Sequence, residues 1–390
     1  MAVLTPFDKA EFERRLARLQ ERMAEEKLDA VLISTLAAFR YFSGYNPIIS
    51  ESPARPWFLV LPAQGEPVAA IPQLGADDME TASWIESIRH WPSPRPDDEG
   101  VSLLAETIDE LPAHHGRVGA ELGPETRLGM PAKDFEKLTQ GCSSTFADAS
   151  EIIRQVRAIK SPAEVARIRQ AGACAGAAFS TVPSWLHAGM SEAEIHRRFQ
   201  AELLTAGVDY VRYLAIGTGH CGYDSICRGP LVRKVAEGDV VGLDTGATID
   251  GYFCDFDRNF SLGAPADQVS RAYHTLHNAV EAGIAAVKPD VTCAVVWQAM
   301  MQVLTDAGAE AGSIGRMGHG LGMALTEQPS IHPDDKTVLQ AGMVLAIEPG
   351  LSYEHDGAPR LMVHEENVMV TGDGAELLSP RAAPEIVAIG

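Results

Sequence analysis

Asp239-Val240-Val241-Gly242-Leu243-Asp244-Thr245-Gly246-Ala247-Thr248-Ile249-Asp250-Gly251-Tyr252-Phe253-Cys254-Asp255 joins two apolar runs through a tight turn and carries two acids among apolar neighbours. Residues 239–245 read as a buried strand, Asp250-Gly251 is a strong hairpin signal, and residues 252–262 read as the returning strand. Asp244 and Asp255 lie on opposite arms, nearly equidistant from the turn, where they can be cross-strand neighbours on one face. Two carboxylates that close repel each other unless a cation lies between them. The residues flanking both acids are apolar, whereas the solvated acids that usually flank a turn sit among charges.

Working outward, three further runs carry acids or imidazole in apolar or glycine-rich surroundings. They are Gly318-His319-Gly320-Leu321-Gly322, Ile347-Glu348-Pro349-Gly350 and Val363-His364-Glu365-Glu366-Asn367. Isolated buried carboxylates are costly, so they must be paired, protonated or bound to metal. Asp244, Asp255, His319, Glu348 and Glu365 together offer what a site for two divalent metals needs. Hard carboxylates with one borderline imidazole suit manganese, iron, cobalt or zinc.

These runs, in this order and spacing, resemble the pita-bread superfamily of methionine aminopeptidases, Xaa-Pro dipeptidases and aminopeptidases, creatinases and some lyases. Val370-Thr371-Gly372-Asp373-Gly374 closes the series as in that group. Arg154-Gln155-Val156-Arg157-Ala158-Ile159-Lys160-Ser161-Pro162-Ala163-Glu164 is similar to the opening of its catalytic domain. Tyr41-Phe42-Ser43-Gly44-Tyr45 resembles a Tyr-Leu-Thr-Gly-Tyr run of the creatinase and prolidase branch. The resemblance implies an α+β fold: a pita-bread catalytic domain over 156–390, preceded over 1–155 by a mixed α/β creatinase-type N-terminal domain. It implies that Asp244 binds one metal, Asp255 and Glu365 bridge both, and His319 and Glu348 complete the second. A homodimer is implied as well. Glu365 and Glu366 are adjacent, and strand alternation sends them to opposite faces; the family's spacing selects Glu365 and leaves Glu366 an outer acid.

Departures from the pattern matter as much. Peptidase members usually carry a second histidine seven residues after the ligand histidine. Here Thr326 stands there, in Thr326-Glu327-Gln328-Pro329, and threonine does not titrate near neutral pH as histidine does. A histidine upstream of Gly238-Asp239 is also missing from its usual place. His220 and His332 are the candidate catalytic substitutes, each weighed against an ordinary surface-loop role. Asp257, often threonine in relatives, shares strand parity with Asp255 and is expected to support the ligands or to pair with Arg258. The leading reading is a metal-dependent hydrolase similar to Xaa-Pro dipeptidases, acting on a dipeptide or other small molecule. The alternatives are a creatinase-like or ectoine-type amidine or lactam hydrolase, a lyase of the dimethylsulfoniopropionate type, and a non-catalytic binding protein.

Composition bounds the rest. The 390 residues suffice for two domains with sizeable cores, and the net charge of −21 argues against nucleic acid and against an anionic membrane surface. Cys142, Cys174, Cys221, Cys227, Cys254 and Cys293 show no Cys-x-x-Cys spacing and are expected as reduced thiols in the cytoplasm. Residues 1–19 do not read as a signal peptide: Phe7 to Lys27 is charged and amphipathic, with Phe12, Leu16, Leu19 and Met23 on one helical stripe. Alternating helix and strand fill the N-terminal part, with strands at 30–33, 57–61, 68–71 and 117–121 and a proline-rich surface loop over 91–96. Ser161-Pro162-Ala163-Glu164 and Ser191-Glu192-Ala193-Glu194 are capping boxes that open helices. Further helices are expected at about 266–287 and 293–307, and strands at 210–216, 344–348 and 362–370.

Overall fold

The structure is a computed structural model that describes residues 6–49, 52–308 and 315–390; Met1–Thr5 of the amphipathic N-terminal segment lie outside it. The chain divides into two compact units, 1–157 and 158–390.

The first unit is a six-stranded mixed sheet. Its strands are β1 (Ala30–Ile33), β2 (Phe58–Pro62), β3 (Val68–Pro72), β4 (Ser87–Trp91), β5 (Arg117–Ala120) and β6 (Thr145–Asp148), in the order β4-β3-β2-β1-β5-β6. Its helices are α1 (Lys9–Glu26), α2 (Leu36–Ser43), α3 (Ala76–Ala82), α4 (Val101–Asp109), α5 (Ala132–Gly141) and α6 (Ser150–Ala158). The stripe read from sequence is the buried face of α1: Phe12, Leu16, Leu19 and Met23 are all in the core. Trp91 ends β4 and is buried, its indole donating to Glu99 at 2.9 Å, so the surface loop expected over 91–96 starts one residue later. Buried Asp29 accepts backbone N–H bonds from His114, His115, Gly116 and Arg117, fixing the turn before β5.

The second unit opens on α7 (Pro162–Thr181) and α8 (Glu192–Ala206), each with its capping box formed at Ser161/Glu164 and Ser191/Glu194. Three long strands follow: β7 (Tyr210–His220), β8 (Asp239–Ile249) and β9 (Tyr252–Leu262). Helices α9 (Asp267–Ala286) and α10 (Cys293–Asp306) come next, then β10 (Gly318–Gly320), β11 (Glu327–Ser330), β12 (Val344–Ile347), β13 (Gly350–His355), β14 (Ala358–Val363), β15 (Glu366–Val370), β16 (Ala375–Leu377) and β17 (Val387–Ile389). One sheet runs β17-β9-β8-β7, another runs β11-β10-β12-β15-β16, and β13-β14 form a hairpin. Phe179 of α7 meets Phe199 of α8 and Phe256 of β9, so these helices cover the first sheet. Leu276 and Val280 of α9 and Val296 and Met300 of α10 share a core with Leu345, Ile347 and Val368 of the second sheet.

The run expected as one strand over 362–370 is broken. Val363 ends β14 opposite Gly350, Glu366 starts β15 opposite Ile347, and His364-Glu365 lie between. The partner strand changes there, which frees the Glu365 backbone from both ladders. Among the described residues no helix is long and apolar enough to cross a membrane.

Candidate metal centre

The centre forms where the two sheets of the second unit face each other. Ile249 pairs with Tyr252 across the Asp250-Gly251 turn, which sets Asp244 opposite Asp257 and Asp255 opposite Gly246. Asp244 and Asp255 are therefore cross-strand neighbours on one face, placed diagonally, and Asp257 takes the place straight across from Asp244. From the second sheet, β10 presents His319, paired to Ala346. Gly318 before it has φ +136°, and a Cβ there would lie 2.1 Å from the Ala346 carbonyl oxygen, so only glycine lets β10 come this close.

Asp255, His319 and Glu365 converge most tightly: one ligand atom from each lies within 4.8 Å of the others. His319 Nδ1 faces the Gly320 carbonyl at 2.9 Å and so carries the ring proton. That leaves the Nε2 lone pair pointing 3.5 Å from Asp255 Oδ2. Burial pushes the imidazole down to about 4, so it is neutral near pH 7. A lone pair aimed at a carboxylate is repulsive until a proton or a metal ion lies between them.

Asp244 and Glu348 stand around this trio, near enough for their charges to act on it. Burial, then the charges of Asp244 and Glu348, hold Asp255 well above the carboxylate range. Burial and then Asp255, Glu348 and Asp244 do the same to Glu365. Asp244 is pushed to about 7 by burial and Asp257. Glu348, just past β12, is pushed to about 8 by loss of solvent and by Asp244. Asp244 Oδ1 and Glu365 Oε1 are buried with no hydrogen-bond partner among the described residues. Orphaned carboxylate oxygens facing a metal-ready imidazole fit divalent cations well, and the oxygen-rich donor set suits hard or borderline ions. Arg316, exposed and three residues before His319, opposes the negative field, lowering Asp255, Glu348 and His319 by its charge.

A supporting layer fixes these side chains. Tyr213 Oη donates to Asp244 Oδ2 at 2.9 Å from across the β7–β8 pair. The Glu365 N–H, freed by the strand break, donates to Asp257 Oδ1 at 2.6 Å, and Asn259 Nδ2 donates to Asp257 Oδ2 at 2.7 Å. Asn367 bonds both backbone groups of Asp255, accepting its N–H at 2.8 Å and donating to its carbonyl, and so joins β15 to β9. Asp257 thus supports Glu365, while its neighbour Arg258 reaches Glu366 instead. His364 turns away from the trio toward Tyr273 and His277.

The two histidines read as catalytic candidates lie elsewhere. His220 pairs with Asp239, on the sheet face opposite to Asp244. It lies five residues further along the ladder than Ala215, the partner of Asp244, on the order of 16 Å away. His332 sits in an exposed turn, where its Nδ1 accepts the Asp334 N–H at 3.3 Å. Thr326 is exposed, and its neighbour Glu327 pairs with buried Lys160 at 3.1 Å. Tyr213 and Arg316 belong to no motif quoted above, and Asn367, though it closes the run that holds Glu365, was assigned no role there. Strand parity could have found Tyr213, which lies opposite Gly246 and thus on the face of Asp244.

Comparison with known proteins agrees with this geometry. Residues 166–372 match metallopeptidase family M24, and residues 15–159 match the creatinase/prolidase N-terminal domain. The chain belongs to metallopeptidase family M24, and is a metal-dependent hydrolase of the pita-bread fold in its Xaa-Pro dipeptidase and creatinase branch. A probable dipeptidase PepE of Mycobacterium bovis is 29% identical over 373 residues, 95% of this chain and 94% of the relative. A Xaa-Pro dipeptidase of Lactobacillus delbrueckii subsp. lactis is 27% identical over 362 residues, 92% and 95% of the two chains. The crystal structure of dipeptidase PepE from Mycobacterium ulcerans superposes with a TM-score of 0.84 at 30% identity, covering 99% of this chain and all of that one.

Proposed function

We propose that this chain is a dipeptidase-type hydrolase that uses two divalent cations of the manganese, cobalt, iron or zinc class to cleave a C–N bond in a small substrate. The observation that carries the reading is the pair of partnerless, buried carboxylate oxygens on Asp244 and Glu365 beside the deprotonated Nε2 of His319. Asp244, Asp255, His319, Glu348 and Glu365 would hold the ions. Bound there, divalent metals supply Lewis acidity and a water acidic enough to serve as nucleophile near neutral pH.

The chain's own residues orient and select. Tyr213 fixes the rotamer of Asp244, Asp257 fixes the backbone of Glu365, and Asn367 fixes that of Asp255. Arg316 offers an exposed guanidinium beside the acids, suited to a substrate carboxylate through paired N–H donors. Relatives named dipeptidase and Xaa-Pro dipeptidase support a dipeptide as that substrate. Neither His220 nor His332 is favoured as the proton donor by its position. With Thr326 where a titrating histidine usually stands, proline dipeptides are expected to turn over weakly, and this one residue favours the second reading of a hydrolase or lyase for small charged metabolites. We extend the proposal to a cytoplasmic homodimer, on the family resemblance and on six cysteines that are all free.

Steady-state kinetics on metal-loaded protein test the reading. Cleavage of dipeptides is expected only after loading. Arg316→Ala is expected to raise KM about tenfold or more, as loss of a charged hydrogen bond does, with a smaller effect on kcat. Loaded protein that cleaves no dipeptide but turns over a small zwitterion would replace the dipeptidase reading with the second one.

A further inference from the structure

A second group of metal-ligating side chains lies at the far end of β7, away from the centre described above. His220 is the last residue of β7, Cys221 follows it, and His355 ends β13. One ring nitrogen of each histidine and the Cys221 sulfur all lie within 4.8 Å of one another. The two rings meet edge-on, 5.7 Å between centroids.

The backbone around these side chains is tied down on every side. Arg360 Nε donates to the His220 carbonyl at 2.9 Å, and Tyr353 Oη donates to the Cys221 carbonyl at 2.8 Å. Gln268, at the start of α9, donates through Nε2 to the Glu354 carbonyl at 2.6 Å, which leaves its Oε1 facing His355 Nδ1 at 2.9 Å. The ring His220 presents is seated against Gly238, where a Cβ would lie 2.7 Å from Cε1.

An amide oxygen accepts, so Nδ1 carries a hydrogen and Nε2 is left as the ring nitrogen beside Asp356 Oδ2, 3.4 Å away. His319 shows the same arrangement, Nδ1 on a carbonyl and Nε2 3.5 Å from a carboxylate. In both places a metal ion between nitrogen and carboxylate would bond to each, and an outer acceptor on the far ring nitrogen is how ligating histidines are usually held.

We propose that His220, Cys221 and His355, with Asp356 as a fourth donor, form a separate site for a thiophilic divalent cation of the zinc class. A thiolate with two imidazoles selects zinc over manganese, magnesium or calcium, whereas the acid centre offers one imidazole and otherwise oxygen. Cys221 is 4% exposed but Asp356 and His220 face solvent, which gives the ion a path in. On binding, the thiol gives its proton to solvent as the sulfur–metal bond forms. The ion would tie β7, whose Tyr213 holds Asp244, to the hairpin that runs into Glu365.

Cobalt(II) is the probe, because a cobalt–thiolate bond absorbs in the near ultraviolet and oxygen ligands do not. Full-length protein is titrated with cobalt alone, as the natural sequence and as His319→Ala, Cys221→Ser and His355→Gln. The thiolate band is expected in the natural sequence and in His319→Ala, lost in Cys221→Ser, weakened in His355→Gln, and bleached by zinc. Zinc is also expected to raise the thermal midpoint of His319→Ala by more than that of the same variant carrying Cys221→Ser. A band absent from the natural sequence, or one that survives Cys221→Ser, overturns the site; the latter points to another thiol, such as exposed Cys227. Should Cys221→Ser fail to fold, an unaltered band in His355→Gln overturns it equally.

Discussion

Glu365 and Glu366 are neighbours in sequence and both are buried, yet they live in opposite electrostatic worlds. Burial would raise Glu366, but Arg258, His364 and bonds from Ser379 and the Ala382 N–H outweigh it and hold its carboxyl below the usual range. Arg381 adds a contact at 2.9 Å. Among the described residues Glu365 has no such partner: burial and four other acids push it far up, and its Oε1 is left with nothing to bond. The same contrast separates the whole centre from the Glu192 network, where Arg228 and Thr218 hold a fully buried acid down. Arginine neutralises buried Glu366 and Glu192, and backbone N–H groups do the same for Asp29. At the centre only the exposed Arg316 acts on Asp255 and Glu348, and among the described residues no cation pairs with Asp244 or Glu365, so the centre is suited to positive charge from outside the chain.

The sharpest way to break the comparison is to remove each acid separately. Glu365→Gln is expected to abolish turnover, by about 10²–10³ or more, and to reduce metal content while leaving the metal-free fold as stable as before. Glu366→Gln removes the carboxylate that Arg258 and Arg381 share and is expected to cost about 3 kcal/mol of stability, with the metals still bound. Denaturation curves and metal analysis on both variants read the two effects; equal metal loss in both would put them on the same footing.

Acidity separates the regions next. Folded-state values near 7 for Asp244 and near 8 for Glu348 exceed those of the unfolded chain, so the metal-free fold binds more protons than the unfolded chain between about pH 4 and 8. Its stability is therefore expected to fall as pH rises through that window. Loaded protein should lose this dependence, since bound ions keep the acids ionised. Thermal midpoints of chelated and loaded samples, at roughly 2–4 °C per kcal/mol, check it.

Asp29 carries the opposite sign. Burial raises it, but the N–H groups of His114, His115, Arg117 and Gly116 outweigh that and lower its carboxyl. Its contribution is complete above about pH 4 and is lost as pH falls through the lowered value. Asp29→Asn is expected to cost about 1–3 kcal/mol and to flatten the acid limb of the stability profile. Smallest of all, Tyr213→Phe removes only the donor to Asp244 Oδ2. It should weaken metal affinity about 10–100-fold, measured by competition with a chelator, and leave the overall stability nearly unchanged.

Much of this was legible in the chain because the chemistry is local. The Asp250-Gly251 turn sets the register of two long strands, and the Ser-x-x-Glu boxes at 161 and 191 start helices whatever surrounds them. The five candidate ligands stood out because acids among apolar residues and glycines are costly without a purpose. The interruption at His364-Glu365 was hidden, since alternation over 358–370 reads the same whether one partner strand or two is present. Asp257 was read as a support for the ligands, but its place straight across from Asp244 needed the register counted from the turn. Tyr213 was within reach of strand parity once β7 was paired with β8, whereas Arg316 lies in no recurrent pattern and only assembly of the sheets shows what it reaches.

The direct test of the missing positive charge is elemental analysis of protein purified without chelator, then reconstituted with manganese, cobalt or zinc, on the Cys221→Ser background so that the thiol site does not count. Occupancy is expected to approach two ions per chain and to fall sharply with Glu365→Gln but not with Glu366→Gln. Reconstituted protein that repeatedly holds no metal, with its buried acids simply protonated, would contradict the assignment of this centre.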